Sequence, residues 1–268
     1  MPELPEVEII ARFFSDSVVG KRICDITINR RDLRISIPDN FSASVLGKKI
    51  HSVRRLAKYL VMQISAEEKV IFHLGMSGRI LYVTSYSPEK HDHVILTLND
   101  GSRIVFNDPR RFGMVTVVDN HGYEALREKA GPDPFSDCFS ADYILSISNK
   151  LSIKTALMRS DIVSGIGNIY ASEILFRAGI LPNREMRTLS LEDCQRIVDA
   201  TREILRLSIE AGGSTIRDYR SPLGTEGGFP RHFKVYNRSG CECYTCGGYV
   251  HSERQNGRST YFCVRCQK

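Results

Sequence analysis

The sequence predicts an α+β protein with a β-rich N-terminal half, a helical C-terminal half and a short cysteine-rich module. Three observations support this prediction. After one leading helical segment, apolar residues alternate with a period of two. The helical period returns beyond residue 140, and two C-x-x-C pairs stand near the end of the chain. Because 42% of the 268 residues are hydrophobic, the chain can bury a sizeable core as one large domain or two ordinary ones.

The N-terminal half is predicted to be a β-sandwich or barrel preceded by a helix over residues 3–19. Apolar residues of that helix recur at intervals of three and four, and Gly20 is typical of a C-terminal cap. Asn99, Asp100 and Gly101 predict a tight turn between two β-rich runs. The predicted strands lie in the segments KYLVMQI, KVIFHLGM, RILYVTSY, HVILTLNDGSRIVFN and GMVTVV.

A segment rich in Pro, Asp and Ser, AGPDPFSDCFS at 130–140, predicts the boundary between the two halves. Beyond it, Ser190 and Asp193 predict a capping box on a long helix that ends at Gly212-Gly213. A shorter helix is predicted with Asn168 as its N-cap. With the helical segment IKTALMR before it, this part resembles a helix-turn-helix element, although a plain capped helix explains the same residues.

Cys243, Cys246, Cys263 and Cys266 predict a four-cysteine zinc ribbon. Two C-x-x-C pairs at this separation allow four thiolates to surround one tetrahedral ion. In a reducing cytoplasm such pairs bind metal more often than they form disulfides. Cys241 is an alternative ligand, but the C-x-x-C geometry favours Cys243. The predicted cofactor is therefore one structural Zn²⁺.

The charge distribution favours a nucleic-acid partner. Residues 231–268 contain seven basic and two acidic residues, and so carry most of the net charge of +6. A hairpin between the cysteine pairs would place Arg258 near its tip, within reach of phosphates, although an ordinary exposed arginine is the simpler explanation locally. We find no apolar run long enough for a membrane span and no basic, apolar leader, which predicts a cytoplasmic protein.

Two loop segments of the β-rich half combine glycine with large or charged side chains. HLGMSGR carries Met76 and Arg79, and NDPRRFG carries Arg110, Arg111 and Phe112. Apolar side chains on loops can wedge between stacked bases while neighbouring arginines hold the backbone. Taken alone, the two segments are explained as well by ordinary β-turns with a few exposed groups.

The first residues, MPELPEVEII, predict a reactive N-terminus. Prolines and glutamates suit the first turn of a helix, but this does not explain proline at position 2. The initiator methionine is commonly removed before a small residue, which would leave Pro2 with a free secondary amine. An α-amino group has a pKa of about 8, so much of it is unprotonated and can attack an electrophilic carbon to give an iminium.

Together these segments resemble the formamidopyrimidine-DNA glycosylase family of bacterial DNA repair enzymes. The resemblance runs in order over essentially the whole chain. It rests on MPELPEVE, AKYL, HLGMSGR, KHDH, NDPRRFG, GIGNIYASEILF, GGSTIRDY and the cysteine ribbon that ends in CQK.

The resemblance implies an N-terminal β-sandwich with a leading helix, then a helix-two-turn-helix domain and a zinc-ribbon hairpin. We expect a catalytic domain at 1–131, a linker at 132–140, the helix-two-turn-helix domain at 141–230 and the zinc finger at 231–268. The implied enzyme is a monomeric DNA glycosylase and abasic-site lyase acting on damaged double-stranded DNA in the cytoplasm, associated with the nucleoid. It would flip out an oxidised purine, remove it through a Schiff base and cut the strand by β,δ-elimination.

The resemblance also assigns site residues. Pro2 would be the nucleophile and Glu3 the general acid/base, with Glu6 supporting the site and Lys58 assisting. The residues expected to contact DNA are Met76, His91, Arg110, Phe112, Lys154, Asn168 and Arg258. The segment LMRS at 157–160 departs from the family's common LLDQ, so Arg159 and Ser160 are expected to change local packing or DNA contacts.

Two alternatives remain open at this stage. The sister enzyme endonuclease VIII has the same chemistry with a preference for oxidised pyrimidines. It typically opens PEGPE and lacks a full NDPRRFG, so Leu4 and residues 107–113 argue against it. A non-catalytic zinc-ribbon protein that binds nucleic acid would share the basic tail but have no use for an N-terminal proline.

Overall fold

The computed structural model describes residues 2–147, 149–215 and 219–268. The chain divides into two compact units. Unit 1 contains residues 1–128 and 209–230, and unit 2 contains residues 129–208 and 231–268. The four-part division expected from the resemblance stays a prediction. Within the described residues, no helix is both long and apolar enough to cross a membrane.

The strands of the first unit form two four-stranded antiparallel sheets, and two further strands form a hairpin in the second unit. The predicted strands are confirmed, with two additional strands, β1 and β2, that the sequence analysis did not predict. In chain order the strands are β1 (Ile23–Ile28), β2 (Ser52–Leu56), β3 (Tyr59–Gln63), β4 (Lys69–His73), β5 (Arg79–Val83), β6 (Asp92–Leu98), β7 (Arg103–Asn107), β8 (Met114–Val118), β9 (His251–Gln255) and β10 (Arg258–Phe262).

The two sheets of unit 1 make the predicted β-sandwich. One sheet has the order β1-β6-β7-β5 and the other β2-β3-β4-β8. Apolar side chains from both sheets and from the leading helix, among them Phe14, Phe72 and Phe106, form one buried cluster. The predicted turn between β6 and β7 is present, because Gly101 adopts a positive φ of 85° and the Asp100 carboxylate accepts the Ser102 N–H.

The helices confirm the predicted alternation of a β-rich half and a helical half. The predicted capping box is present, since the Asp193 N–H donates to Ser190 Oγ and the Ser190 N–H donates to Asp193 Oδ2, each at 3.1 Å. In chain order the α-helices are α1 (Leu4–Val18), α2 (Phe41–Val45), α3 (Asn120–Glu128), α4 (Ala141–Ser146), α5 (Ile153–Met158), α6 (Asn168–Ala178) and α7 (Leu191–Glu210).

The prediction that Asn168 caps α6 is wrong, because Gly167 is the N-cap and Asn168 is the first helical residue. Glycine is also a favourable N-cap, and here its extended backbone lets the chain turn from the G-I-G segment into the helix. Gly179 ends α6 in the left-handed region at φ 73°.

Candidate active site and nucleic-acid interface

The N-terminus of α1 is fixed by a buried carboxylate. Pro2 and Glu3 precede the helix and are both buried. Glu6 is 1% exposed, and its Oε2 accepts the Glu3 N–H at 2.7 Å. Glu3 and Glu6 together form a capping box, which satisfies N–H groups that the first helical turn leaves open. The position of Glu3, and of Pro2 beside it, is therefore set by Glu6.

Glu6 also binds a segment that lies far away in the sequence. Its second oxygen, Oε1, accepts the Ser214 N–H at 2.7 Å, across 208 positions of the chain. Gly213 stands beside this contact at φ 83°, and a Cβ there would approach Glu6 Oε1 at 3.1 Å and Tyr219 at 3.2 Å. Glycine is therefore required both for the backbone conformation and for the close approach to Glu6.

Lys58 and His73 lie at neighbouring strand ends of one sheet. Lys58 follows Ala57 in the two-residue turn between β2 and β3, where Ala57 has the unusual φ of 53°. Tyr59, the next residue, pairs directly with His73 at the end of β4. The pairing register thus brings Lys58 and His73 to the same end of neighbouring strands in this sheet.

His73 is a candidate hydrogen-bond donor to a DNA phosphate, and the sequence analysis did not identify it. Burial, together with the nearby cations Arg34 and Lys58, lowers the pKa of His73 from 6.5 to about 4. Its Nδ1 accepts the Gly75 N–H at 3.1 Å, so the neutral ring carries its proton on Nε2. The sequence signal is the histidine that opens the HLGMSGR segment, in which the sequence analysis singles out Met76 and Arg79.

Asp108 holds the two predicted loops together. It is fully buried, and its Oδ1 accepts the Ser77 hydroxyl at 2.6 Å while its Oδ2 accepts the Gly113 N–H at 2.8 Å. The backbone of Asp108 also accepts a hydrogen-bonding contact from His93 Nε2 at 2.8 Å and donates to the His91 carbonyl at 3.0 Å. One aspartate of NDPRRFG therefore connects HLGMSGR, KHDH and its own loop, a role that the sequence analysis did not assign.

This network presents two apolar side chains to solvent. Met76 is 41% exposed and Phe112 is 45% exposed. The loops touch at Gly75, where a Cβ would lie 2.4 Å from the Phe112 carbonyl carbon. The Arg110 guanidinium lies over the Phe112 ring at 4.8 Å, so a cation accompanies the exposed ring. Exposed apolar side chains on a rigid loop pair are suited to insertion between stacked bases.

In unit 2, two predicted DNA-binding residues bind the zinc-ribbon hairpin. Asn168 Nδ2 donates to the Ser259 carbonyl at 3.0 Å. Lys154 is 2% exposed, and its Nζ donates to Thr260 Oγ1 at 2.6 Å and to the same Ser259 carbonyl at 3.3 Å. These contacts attach α5 and α6 to β10. The expected contact of Lys154 with DNA stays a prediction.

Arg258 lies where the sequence analysis expected it. Strands β9 and β10 are joined by Asn256 and Gly257, both with positive φ, and Arg258 is the first residue of β10. Its side chain is exposed at the tip of the hairpin. Asn256 Nδ2 donates to Thr155 Oγ1 at 2.8 Å, so the tip itself is tied to α5.

The four predicted cysteines form a metal-binding cluster. Their sulfur atoms lie within 4.8 Å of one another, and two of the separations are 3.8 Å and 3.6 Å. Four sulfurs around a tetrahedral Zn²⁺ stand about 3.8 Å apart, so one zinc ion fits this donor set. Cys241 is exposed and outside the cluster, so the geometry favours Cys243 over Cys241 as the ligand.

The pKa of the Cys243 thiol is lowered within this cluster. Burial raises its pKa, but the N–H groups of Thr245 and Cys246 and hydrogen bonds from two partner thiols outweigh burial and lower it to about 7. Burial and the neighbouring thiols raise the pKa of Cys266 instead. A divalent cation is therefore needed to hold all four groups as thiolates.

Family models match the chain in three successive segments. Residues 1–115 match the formamidopyrimidine-DNA glycosylase N-terminal domain, and residues 130–220 match the helix-two-turn-helix domain of the same family. Residues 242–268 match a zinc finger found in this family and in isoleucyl-tRNA synthetase.

Full-length relatives agree with these matches. A formamidopyrimidine-DNA glycosylase from Wolbachia sp. subsp. Brugia malayi is 42% identical over 100% of both chains. A Lactococcus lactis enzyme of this name, solved as a mutant with DNA containing Fapy-dG, is 31% identical over 100% of both chains with a TM-score of 0.91. The same L. lactis protein with abasic-site DNA gives 31% identity, 99% coverage of each chain and a TM-score of 0.91. This chain therefore belongs to the formamidopyrimidine-DNA glycosylase family.

Proposed function

We propose that this protein is a bifunctional DNA glycosylase and abasic-site lyase that removes oxidised purines, including 8-oxoguanine and formamidopyrimidines, from double-stranded DNA. The observation that carries the proposal is the buried Pro2-Glu3 pair, held at the start of α1 by the Glu6 carboxylate. The L. lactis relative, solved with Fapy-dG DNA and with abasic-site DNA, supports the two halves of the activity.

Pro2 is the nucleophile once Met1 has been removed. Its amine lone pair attacks C1′ of the flipped nucleotide, and the electrons of the glycosidic bond leave with the base, which takes up a proton. Glu3 gives a proton to the sugar ring oxygen as the ring opens, so that the amine nitrogen and C1′ become an iminium. Loss of a C2′ proton then expels the 3′ phosphate, and a second elimination expels the 5′ phosphate.

The DNA-binding residues divide into two groups by chemistry. Lys58, Asn168 and Arg258 bind phosphates, which positions the strand without reading its sequence. Met76, Arg110 and Phe112 fill the space that the flipped base leaves in the duplex. His91, beside the loop that Asp108 organises, and Lys154, below the zinc-ribbon hairpin, complete the proposed interface.

The zinc ion is structural in this proposal. Bound to the four thiolates, it supplies the cross-link that keeps β9 and β10 folded in a module with a small apolar core. The active species is a monomer in the cytoplasm, associated with the nucleoid through its DNA substrate.

Borohydride trapping tests the chemistry. The wild-type protein should become covalently attached to a duplex containing 8-oxoguanine, because borohydride reduces the iminium to a stable amine. Pro2→Gly should trap less and Glu3→Gln should turn over more slowly, and both should bind undamaged DNA as the wild type does. Glu8→Gln is the matched control, since Glu8 is on the same helix but binds Arg12 and Arg55. Equal trapping by Pro2→Gly and wild type contradicts the mechanism.

Substrate choice and Met1 removal need separate measurements. Excision should be faster from an 8-oxoguanine duplex than from a thymine-glycol duplex, whereas the reverse order would indicate the endonuclease VIII specificity. A protein that binds DNA and never traps would be a passive binder. The intact mass of the active protein should be one methionine lighter than the printed chain.

A further inference from the structure

We propose that Arg159 binds a DNA backbone phosphate beside the one bound by Arg258, a proposal that rests on the proposed DNA-repair function. Arg159 lies in the segment LMRS at 157–160. Its position in the fold is the segment just after α5, and Arg258 is at the tip of the β9–β10 hairpin. Both line one open cavity of about 200 Å³ in unit 2.

The cavity has the character of an anion site. Three of its lining residues, Lys154, Arg159 and Arg258, are cationic, and none is acidic. Lys154 is buried, and the two arginines are exposed to solvent. Asn256 Nδ2 donates to Thr155 Oγ1 at 2.8 Å, and this hydrogen bond holds the turn of the β9–β10 hairpin against α5. Converging cations on a fixed frame favour a phosphate ligand.

Asp161 orients the Arg159 guanidinium and leaves one edge available. Arg159 Nε donates to Asp161 Oδ1 at 3.1 Å, and Nη2 donates to Asp161 Oδ2. Among the described residues, Nη1 donates to no acceptor. A guanidinium carries five N–H donors in a planar fork, so the edge that does not face Asp161 can donate hydrogen bonds to a second oxyanion. The side chain is 49% exposed, which leaves that edge reachable from solvent.

The salt dependence of binding to undamaged duplex tests this proposal. One phosphate contact contributes about 0.9 to the slope of log affinity against log salt. For zinc-loaded Arg159→Gln we expect the slope of log affinity against log salt to be shallower by about 0.9. Relative to 1 M salt, this change in slope lowers the affinity at 0.1 M salt about eightfold, because 0.1 raised to the power −0.9 is about 8. Arg187→Gln is the matched control, since Arg187 also pairs with a carboxylate two residues away, Glu185, and is outside the cavity.

Two further variants keep the result decisive. Arg159→Lys keeps the charge and should keep the slope, so a loss equal to that of Arg159→Gln would overturn the proposal. Arg159→Gln combined with Arg258→Gln should lower the slope by about 1.8, and a double variant equal to Arg258→Gln alone would also overturn it. Because undamaged DNA is the probe, failure here leaves the excision chemistry untouched, whereas failure of trapping leaves this binding result intact.

Discussion

Glu6→Gln is the sharpest test of how the reactive N-terminus is held in place. The substitution keeps the shape of the side chain but replaces one carboxylate oxygen by an NH₂ group. In the structure both oxygens accept backbone N–H groups at 2.7 Å, one from Glu3 and one from Ser214. A glutamine side chain has one acceptor oxygen, so it can accept from only one of these two N–H groups. The other N–H group would then face the glutamine NH₂ group, which is also a donor, in a buried environment.

The magnitude follows from these two contacts. A hydrogen bond to an ionised group contributes about 1.5–3 kcal/mol, and an unsatisfied buried donor costs about 1–3 kcal/mol. We therefore expect the free energy of unfolding to fall by about 2–4 kcal/mol. A displacement of the nucleophile by about 1 Å can lower a rate about 100-fold, so the single-turnover excision rate should fall by about that factor.

The assays are urea unfolding for stability, and single-turnover excision with borohydride trapping for chemistry. Glu8→Gln is again the control, because its partners are side chains, Arg12 and Arg55, and its loss should leave the excision rate within a few-fold of wild type. If Glu6→Gln excised 8-oxoguanine at the wild-type rate, the argument that Glu6 positions Pro2 and Glu3 would be refuted.

Three other predictions concern the rest of the molecule. The pKa of His73 is about 4 in the folded state and 6.5 ordinarily, so the unfolded state binds more protons between these values. The contribution of His73 to the free energy of unfolding should therefore rise by up to about 3 kcal/mol between pH 4 and pH 6.5. Urea titrations over this pH range should show that His73→Gln removes this dependence. Chelation of zinc should add the four cluster thiols to the three exposed ones outside the cluster, at Cys24, Cys138 and Cys241, and should weaken duplex binding about tenfold or more. Glu173→Gln should lower the melting temperature markedly in calorimetry, because the carboxylate accepts three backbone N–H groups from residues 234–236; an unchanged melting temperature would contradict this.

Local signals were sufficient for most of the fold. The helix period predicted α1, the Ser190 and Asp193 pair predicted the start of α7, and the cysteine spacing predicted the metal cluster. Strand β1 escaped prediction because a register shift between Ile23 and Asp25 interrupts its period of two. Asn168 was misassigned because Asn and Gly are both good N-caps, and local preference cannot choose between adjacent candidates.

The candidate site depends more on contacts between distant residues. The motif NDPRRFG drew attention to Arg110 and Phe112, whereas Asp108, which connects the loops, is recognisable only from its buried partners. His73 became a candidate only when the β3–β4 register set it beside Lys58. Sequence spacing reports neighbours along one element, but these relations depend on how sheets and loops pack.

Two buried carboxylates share one architectural role in this chain. Glu6 accepts N–H groups from Glu3 and Ser214, and Glu173 accepts N–H groups from residues 234–236, which lead into the zinc ribbon. In each case a helix side chain fixes a segment of irregular backbone, whose N–H groups have no regular ladder to join. Charge-assisted bonds at 2.7 Å are shorter and stronger than neutral ones, so the segment is held with little freedom. One carboxylate holds the end of the chain that carries the proposed nucleophile, and the other holds the approach to the hairpin that carries Arg258. For the proposed nucleophile this restraint matters, because a chain end is otherwise among the parts of a protein most prone to disorder.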